Sequence, residues 1–171
     1  MEDTKNNFIK AYEQHVDALF HYCLFNISDR EVAKDIVHDA FAKTWNYIVK
    51  GGHIDNMKAF LYKIIKNLII DYYRKKKTLS LDAMYEDSNF EPPVPVDVSI
   101  EEHAESVLAF KLLDNLSPEY KDVVVMRCVG GLSFKEIAHV TNETENTVAV
   151  RYHRALKKVK ELFNKNNEKK I

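Results

Sequence analysis

Residues 133–154 read SFKEIAHVTNETENTVAVRYHR, and the local signals in this stretch are the most specific in the chain. Ser133, followed three residues later by Glu136, forms a capping box, an arrangement that starts many helices. A second amphipathic segment begins near Thr144 and continues beyond the stretch. We expect Asn142 to lie in a tight turn between the two segments, because Asn tolerates left-handed backbone angles better than most residues. The pattern therefore predicts a helix-turn-helix.

The second helix of this motif has an apolar face and a polar face when residues are placed at about 100° intervals. The predicted inward residues are Val148, Tyr152, Ala155, Leu156, Val159, Leu162 and Phe163. The predicted outward residues are Asn146, Thr147, Val150, His153, Arg154 and Lys157, with Arg151 on the flank. An outward face of this composition predicts contact with the major groove of duplex DNA.

Side-chain chemistry separates base readers from phosphate contacts on this face. Arg154 has the geometry to bind guanine, Asn146 to bind adenine, and Val150 to contact a thymine methyl group. Arg151, Lys157 and Lys158 are better suited to phosphates. The alternative is a solvated basic face on an ordinary helical hairpin.

Two more helices are predicted before the motif. The first lies around Glu101–Asn115. Ser117 as N-cap, with Pro118 at the first helical position, starts the second, and Gly130–Gly131 end it. The whole chain has only four glycines and four prolines, which favours an all-helical fold.

The N-terminal part of the chain predicts three helices. The apolar stripe of the first consists of Phe8, Tyr12, Val16, Leu19, Phe20 and Cys23. Ser28 and Glu31 predict a capping box that opens the second helix, which Gly51–Gly52 end. Asp55 is the expected N-cap of the third helix, which ends in the basic run Arg74–Lys77. The inward residues predicted for this third helix are Met57, Phe60, Leu61, Ile64, Ile65, Leu68 and Tyr72.

The charge distribution divides the chain into three segments. The net charge of the whole is -1, but residues 1–77 carry 13 Lys and Arg against 10 Asp and Glu, and residues 106–171 carry 12 against 8. Between them, residues 78–105 carry none against 8 and include three of the four prolines. We therefore predict an N-terminal three-helix domain at 1–77, an acidic flexible linker at 78–100, and a C-terminal four-helix domain containing the helix-turn-helix at 101–171. The linker is either a solubilising tether or a nucleic-acid mimic.

Several classes of protein are excluded by the sequence. The polar start of the chain does not resemble a secretory signal, and no apolar run approaches the ~20 residues that cross a bilayer. We therefore expect a cytoplasmic protein without membrane insertion. Cys23 and Cys128 have no paired ligands nearby in sequence, so we expect reduced, buried thiols, no metal site and no cofactor. No constellation of catalytic residues or small-molecule substrate site is recognisable, so we expect a protein that is not an enzyme.

Two polar surfaces are predicted in the N-terminal domain. One polar stripe of the third helix carries Lys63, Asn67, Asp71 and Arg74, with Tyr62 nearby. This combination of cations, an amide and an aromatic ring suits the binding of unpaired bases. The alternative is that the stripe is a solvated face. On the second helix, Asp35, His38 and Asp39 point away from the core. This second set fits a solvated surface or a surface for a partner protein; metal or acid-base chemistry is the least supported interpretation, because no further ligand shares the face.

Several segments of the sequence resemble a known protein family. Residues 32–41, VAKDIVHDAF, together with Trp45, resemble region 2.2 of bacterial sigma-70 family factors, and residues 59–74 resemble regions 2.3 and 2.4. The segments matching region 4 are LSPEY at 116–120, EIA at 136–138, and the stretch from Thr147–Val148 to Arg154–Leu156. The two blocks come in the family's order, and the domains of larger factors are missing. The chain is therefore similar to the extracytoplasmic-function (ECF) group.

The resemblance implies partners and residue roles. It implies binding to the beta and beta-prime subunits of core RNA polymerase, to a two-part promoter, and to an anti-sigma factor. The residues implied for polymerase binding are Asp35, His38, Asp39 and Phe41. Those implied for the minus-10 element are His53, Asn56, Tyr62, Lys63, Asn67, Asp71 and Arg74. Those implied for the minus-35 element are Asn146, Thr147, Val150, Arg151, His153, Arg154 and Lys157.

The chain departs from the family pattern at several positions. His38 stands where Gln is usual, Tyr62 where Trp is common, and Glu143 where an apolar residue is usual. Base preference therefore cannot be transferred from relatives. The main rival function is a helix-turn-helix regulator that binds duplex operators by itself through this same motif, with an N-terminal sensing or dimerising domain, and a third is a pure interaction protein.

Overall fold

A computed structural model of the chain describes residues 2–80 and 108–168, which form two compact units. All regular structure in the described residues is helical, which confirms the all-α prediction. The helices are α1 (Glu2–Asn26), α2 (Arg30–Val49), α3 (Met57–Ser80), α4 (residues 108–114 of the described chain), α5 (Pro118–Cys128), α6 (Phe134–Thr141) and α7 (Glu145–Glu168). The predicted start of α4 at Glu101, and residues 81–100 of the predicted linker, lie outside the described residues.

The N-terminal unit is a three-helix bundle in which each helix packs against the other two. Its apolar core consists of Ala11, Leu19, Tyr22, Cys23, Leu24, Ile27, Ala33, Ile36, Val37, Ala40, Phe41, Ala59, Leu61, Tyr62, Ile65 and Ile69. The buried residues of α2 and α3 recur every three to four positions, so one face of each helix is removed from water. This arrangement leaves the opposite faces of α2 and α3 exposed.

The starts of α2 and α3 each differ by one residue from the sequence prediction. Asp29, not Ser28, caps α2, and its Oδ1 accepts hydrogen bonds from the backbone N–H groups of Glu31 (2.9 Å) and Val32 (3.1 Å). Asn56, not Asp55, caps α3. Neighbouring residues with similar capping strength compete for the position. At α2, the carboxylate of Asp29 also benefits from the positive end of the helix dipole.

The end of α3 lies three residues beyond the expected one. The helix continues through Thr78 to Ser80, and the hydroxyl of Thr78 donates a hydrogen bond to the carbonyl of Arg74 (3.0 Å). The sequence contains no proline or glycine there to stop it. Most of the basic run therefore lies before the last turn of α3, which contains only Lys77 of the run.

The C-terminal unit is built from α4 to α7. Ser133 and Glu136 form the predicted capping box, and Asn142 has the left-handed φ of 56° expected for the turn. Ser117 is the N-cap of α5, with proline next to it as predicted. Its core consists of Phe110, Leu112, Leu113, Leu116, Val123, Val124, Val125, Met126, Leu132, Ile137, Ala138, Val140, Val148 and Ala155.

The second half of α7 is more exposed than its apolar stripe predicted. Leu156 and Phe163 were expected to be buried, but they are 38% and 42% exposed. The 24 residues of α7 extend to about 36 Å, whereas the 11 residues of α5 reach only about 16 Å. Among the described residues, the shorter helices α5 and α6 pack on α7, and a helix of this length extends past them.

The two cysteines lie in different environments. Cys23 is fully buried, as predicted, and burial raises the pKa of its thiol to about 12. The prediction of burial is wrong for Cys128, which is exposed at the last residue of α5. Its Sγ lies 3.7 Å from the Tyr152 hydroxyl.

Within the described residues, no helix is both long enough and apolar enough to span a membrane.

Candidate nucleic-acid interface

The helix-turn-helix presents the outer face of α7 to solvent. The predicted readers are all exposed: Asn146, Thr147, Val150, His153, Arg154 and Lys157. Val150 is 41% exposed, so its methyl groups are accessible to a partner. The periodicity of the sequence therefore gave the correct orientation for these six residues.

Packing between α6 and α7 fixes the direction of this face. Tyr152, on the inner side of α7, has its ring centroid 5.4 Å from that of Phe134 at the start of α6. Arg127 also packs on Phe134, with its guanidinium carbon 4.9 Å from the ring centroid. The same guanidinium donates a 2.8 Å hydrogen bond to the carbonyl of Leu132. The α5–α6 loop and the two motif helices are thus held together around one aromatic ring.

A hollow of about 410 Å³ lies between the start of α5 and the outer face of α7. Its lining residues are Glu119, Tyr120, Asn146, Thr147, Val150, Arg151 and Arg154. Five of these were predicted to read or hold DNA. The sequence pattern did not single out the other two, which belong to α5. Their proximity depends on the packing of α5 against α7, which no sequence spacing reveals.

Arg151 differs from the predicted solvent-exposed phosphate contact. Its two terminal nitrogens bind the two carboxylate oxygens of Glu143, each at 2.5 Å, and its side chain is only 20% exposed. The hydrogen bond to Glu143 is the main cause that raises the pKa of Arg151, while partial burial opposes it. The guanidinium is therefore held at the turn between α6 and α7.

The polar stripe of α3 is confirmed as a surface, except at one position. Asn67 and Arg74 are exposed, Lys63 and Asp71 are partly exposed, and Arg74 donates a 2.8 Å hydrogen bond to Asp71. Tyr62, in contrast, is 1% exposed, and its ring centroid lies 5.1 Å from that of Tyr22. The prediction that Tyr62 contacts DNA is wrong, because its side chain points into the three-helix core.

The loop between α2 and α3 carries two of the predicted minus-10 contacts. His53 is exposed and pairs with Asp55 at 2.9 Å. The Oδ1 of Asn56 accepts a 3.0 Å hydrogen bond from the backbone of Ala59, so this oxygen serves the start of α3. The loop is fixed at its beginning by Gly52, which lies against the ring of Tyr47.

The outer face of α2 exposes Asp35, His38 and Asp39, as predicted. Phe41, in contrast, does not lie on this face. It is 4% exposed, and its ring centroid lies 4.7 Å from that of Tyr12. The prediction that Phe41 contacts polymerase is wrong, because its side chain is buried between α1 and α2. The described residues contain no group of three or more His, Cys, Asp or Glu that could hold a metal ion.

A groove beside this face was not predicted from the sequence. It has a volume of about 240 Å³, and its lining includes Tyr12, Phe20, Arg30, Lys34 and His38 from α1 and α2. The guanidinium carbon of Arg30 lies 5.1 Å from the Phe20 ring centroid. A lining that combines aromatic and aliphatic side chains with Arg30, Lys34 and Asp17 suits a protein partner better than a solvated face.

Comparison with known proteins covers both units. Residues 11–78 match Sigma-70 region 2, and residues 108–159 match Sigma-70, region 4. The RNA polymerase sigma factor SigV of Bacillus subtilis is 26% identical over 156 residues, which cover 91% of this chain and 90% of the relative. The ECF RNA polymerase sigma factor SigM of the same organism is 23% identical over 157 residues, covering 91% and 94%.

A solved structure has the same fold. The sigma factor RpoE from Bartonella quintana, in complex with the anti-sigma factor NepR, has a TM-score of 0.72 at 21% identity, over 96% of this chain and 98% of that chain. With two helical units and a family match on each, the chain belongs to the sigma-70 family. It is a promoter-directing sigma factor of the ECF type, and it acts with RNA polymerase.

Proposed function

We propose that the two units divide promoter recognition between them: the N-terminal unit binds core polymerase and the minus-10 element, and the C-terminal unit binds the minus-35 element. The observation that carries this proposal is the exposed outer face of α7, which combines base-reading side chains with an accessible valine. We further propose that the acidic segment 78–100, whose first three residues continue α3, links the two units.

At the minus-35 element, the outer face of α7 enters the major groove. Arg154 donates two hydrogen bonds to a guanine, Asn146 pairs with an adenine, and Val150 contacts a thymine methyl group. Thr147, His153 and Lys157 lie beside these readers, where Lys157 neutralises a phosphate. The pairing of Arg151 removes it from this set in the unbound chain.

At the minus-10 element, single-stranded DNA follows the exposed stripe of α3. Lys63 and Arg74 hold the backbone, Asn67 reads a base edge, and Asp71 orients Arg74 through their hydrogen bond. His53 and Asn56 place the α2–α3 loop beside a base flipped out of the stack. Tyr62 is left out of this set, because it lies in the core.

Core polymerase binds the outer face of α2. Asp35, His38 and Asp39 contact core polymerase, of which the beta and beta-prime subunits are the expected partners. The polymerase then performs all covalent chemistry, so the chain is not itself an enzyme. Since polymerase and chromosome share the bacterial cytoplasm, we place the chain there.

An anti-sigma factor is the expected antagonist. The Bartonella quintana structure is a sigma factor in complex with NepR, and another similar structure is CnrH in complex with the cytosolic domain of CnrY. A protein that covered the groove between α1 and α2 would block the adjacent polymerase-binding face.

Charge reversal on α2 tests the assignment of the polymerase contact. Asp39→Lys in the full chain should weaken binding to purified core polymerase at least tenfold, because a carboxylate in a charged contact becomes a repulsive cation. Glu161→Lys makes the same charge change on α7 and serves as the control. Equal affinity of Asp39→Lys and the unsubstituted chain would contradict this assignment.

Alanine substitution on α7 tests the assignment of the minus-35 readers. In the assembled holoenzyme, Arg154→Ala and Val150→Ala should each lose discrimination at a single minus-35 position, by ~1 to 3 kcal/mol for a good contact. Unchanged promoter selection by both variants would refute the reader roles.

A further inference from the structure

The ion pair between Glu143 and Arg151 joins the turn of the motif to its second helix. Two parallel hydrogen bonds of 2.5 Å connect the carboxylate and the guanidinium, which lie eight residues apart in sequence. Both side chains are mostly shielded, at 27% and 20% exposed. Bidentate pairs of this kind are more rigid and stronger than single contacts between solvated charges.

The surroundings reinforce the hold on Arg151. Arg151 lines the same hollow as Glu119, whose negative charge is a further cause that raises the pKa of the guanidinium. A DNA phosphate would therefore compete with a carboxylate that already accepts two hydrogen bonds, and it would approach a site with a second carboxylate nearby. Arg154 lies one turn further along α7 and is exposed.

We propose that Glu143 is a specificity-determining residue: it holds Arg151 away from the DNA backbone and thereby keeps sequence-independent affinity low. Arg and Lys contacts to phosphates carry no sequence information, whereas Asn146, Val150 and Arg154 contact base edges. When Arg151 does not contact a phosphate, the affinity for every duplex is lower. Base recognition then contributes a larger share of the total binding free energy. This inference rests on the proposed function, in which the outer face of α7 reads the minus-35 duplex.

The test measures the salt dependence of binding between the full chain and a short fluorescent duplex of scrambled sequence. Each phosphate neutralised contributes about 0.9 to the slope of log affinity against log salt. In Glu143→Gln, Arg151 is released, so the slope should become steeper by about 0.9 and affinity at low salt should rise. In Arg151→Gln, the slope should equal that of the unsubstituted chain.

Two variants separate this role from simpler ones. Glu143→Gln/Arg151→Gln should return the slope to that of the unsubstituted chain, because the released cation is absent. Glu145→Gln removes the same charge from an exposed position two residues further on and should leave the slope unchanged. A steeper slope in the double variant, or an equal steepening in Glu145→Gln, would overturn the proposal.

A purely structural role also gives a different result. If Glu143 only stiffened the turn, Glu143→Gln would weaken binding to every duplex without steepening the slope, and the proposal would fail. The scrambled duplex requires neither polymerase nor a promoter. Failure of the holoenzyme to initiate would therefore count against the proposed function, while the slope would still decide the role of Glu143.

Discussion

Tyr62 shows how a single buried hydroxyl affects the N-terminal unit. The side chain is 1% exposed, and its hydroxyl has no hydrogen-bond partner among the described residues. Burial, with a smaller contribution from Cys23, raises its pKa well above the ordinary value. An unsatisfied buried donor costs free energy, so Tyr62→Phe should raise the free energy of unfolding by about 1 kcal/mol.

Urea denaturation measures this change. Trp45 is the only tryptophan and lies in α2, so its fluorescence reports on the N-terminal unit. Tyr12→Phe is the control, because Tyr12 is 47% exposed. Removal of its hydroxyl should leave the midpoint of unfolding unchanged. A lower midpoint for Tyr62→Phe would show that the hydroxyl makes a stabilising bond.

The two thiols should react at different rates in the native chain. Cys128 is exposed, whereas Cys23 is fully buried with a pKa raised to about 12, so its thiolate is scarce and inaccessible. A disulfide reagent at mildly alkaline pH should modify one thiol quickly and the second only after denaturant is added. Mass spectrometry of tryptic peptides should place the fast modification on Cys128, and rapid labelling of Cys23 would contradict the packing of α1.

At the scale of elements, the capping box gives the start of α6 a measurable stability. Ser133→Ala removes the side-chain bond to the backbone of Glu136 and should destabilise α6 by about 1 kcal/mol. Ser117→Ala is a matched control, because Ser117 caps α5 without a side-chain hydrogen bond. Hydrogen-exchange protection in α6 and α5 measures both effects, and equal losses would contradict the distinction.

Gly52 holds the α2–α3 loop against α2. A Cβ at this position would meet the ring of Tyr47 at 2.3 Å, and that ring packs 5.1 Å from Phe60. Gly52→Ala should therefore displace the Tyr47 ring. The free energy of unfolding should fall by about 1 kcal/mol, because the aromatic contact between Tyr47 and Phe60 is lost. In a Tyr47→Ala background the same substitution should cost much less, and an equal cost in both backgrounds would show that the ring is not the cause.

The presence and order of the helices were predictable from the sequence, whereas some of their ends were not. Ser133 and Asn142 occupy the predicted positions because a capping box and a left-handed turn each depend on a few adjacent residues. Asp29 and Asn56 displaced the predicted caps because adjacent residues of similar capping strength differ little in free energy. Tyr62 was assigned to the wrong face because apolar residues nearly surround this part of α3, so periodicity alone did not locate the core.

At the scale of the whole molecule, the outward residues of α7 were predictable and their partners were not. The position of Val150 or Arg154 follows from helical geometry within one segment. The pairing of Arg151 with Glu143, and the placement of Glu119 beside them, depends on how the turn and α5 pack against α7. Contacts of this kind arise only once separate elements have been brought together.

Two-part promoter recognition by the holoenzyme is the central claim, and run-off transcription tests it most directly. Purified core polymerase with the full chain should initiate at a promoter selected from a randomised pool, and core alone should not. Transcription should fall when either the minus-10 or the minus-35 element is scrambled, and Arg154→Ala should reduce only the dependence on minus-35. Initiation that is independent of the chain, or a chain that binds the duplex but never polymerase, would contradict the account.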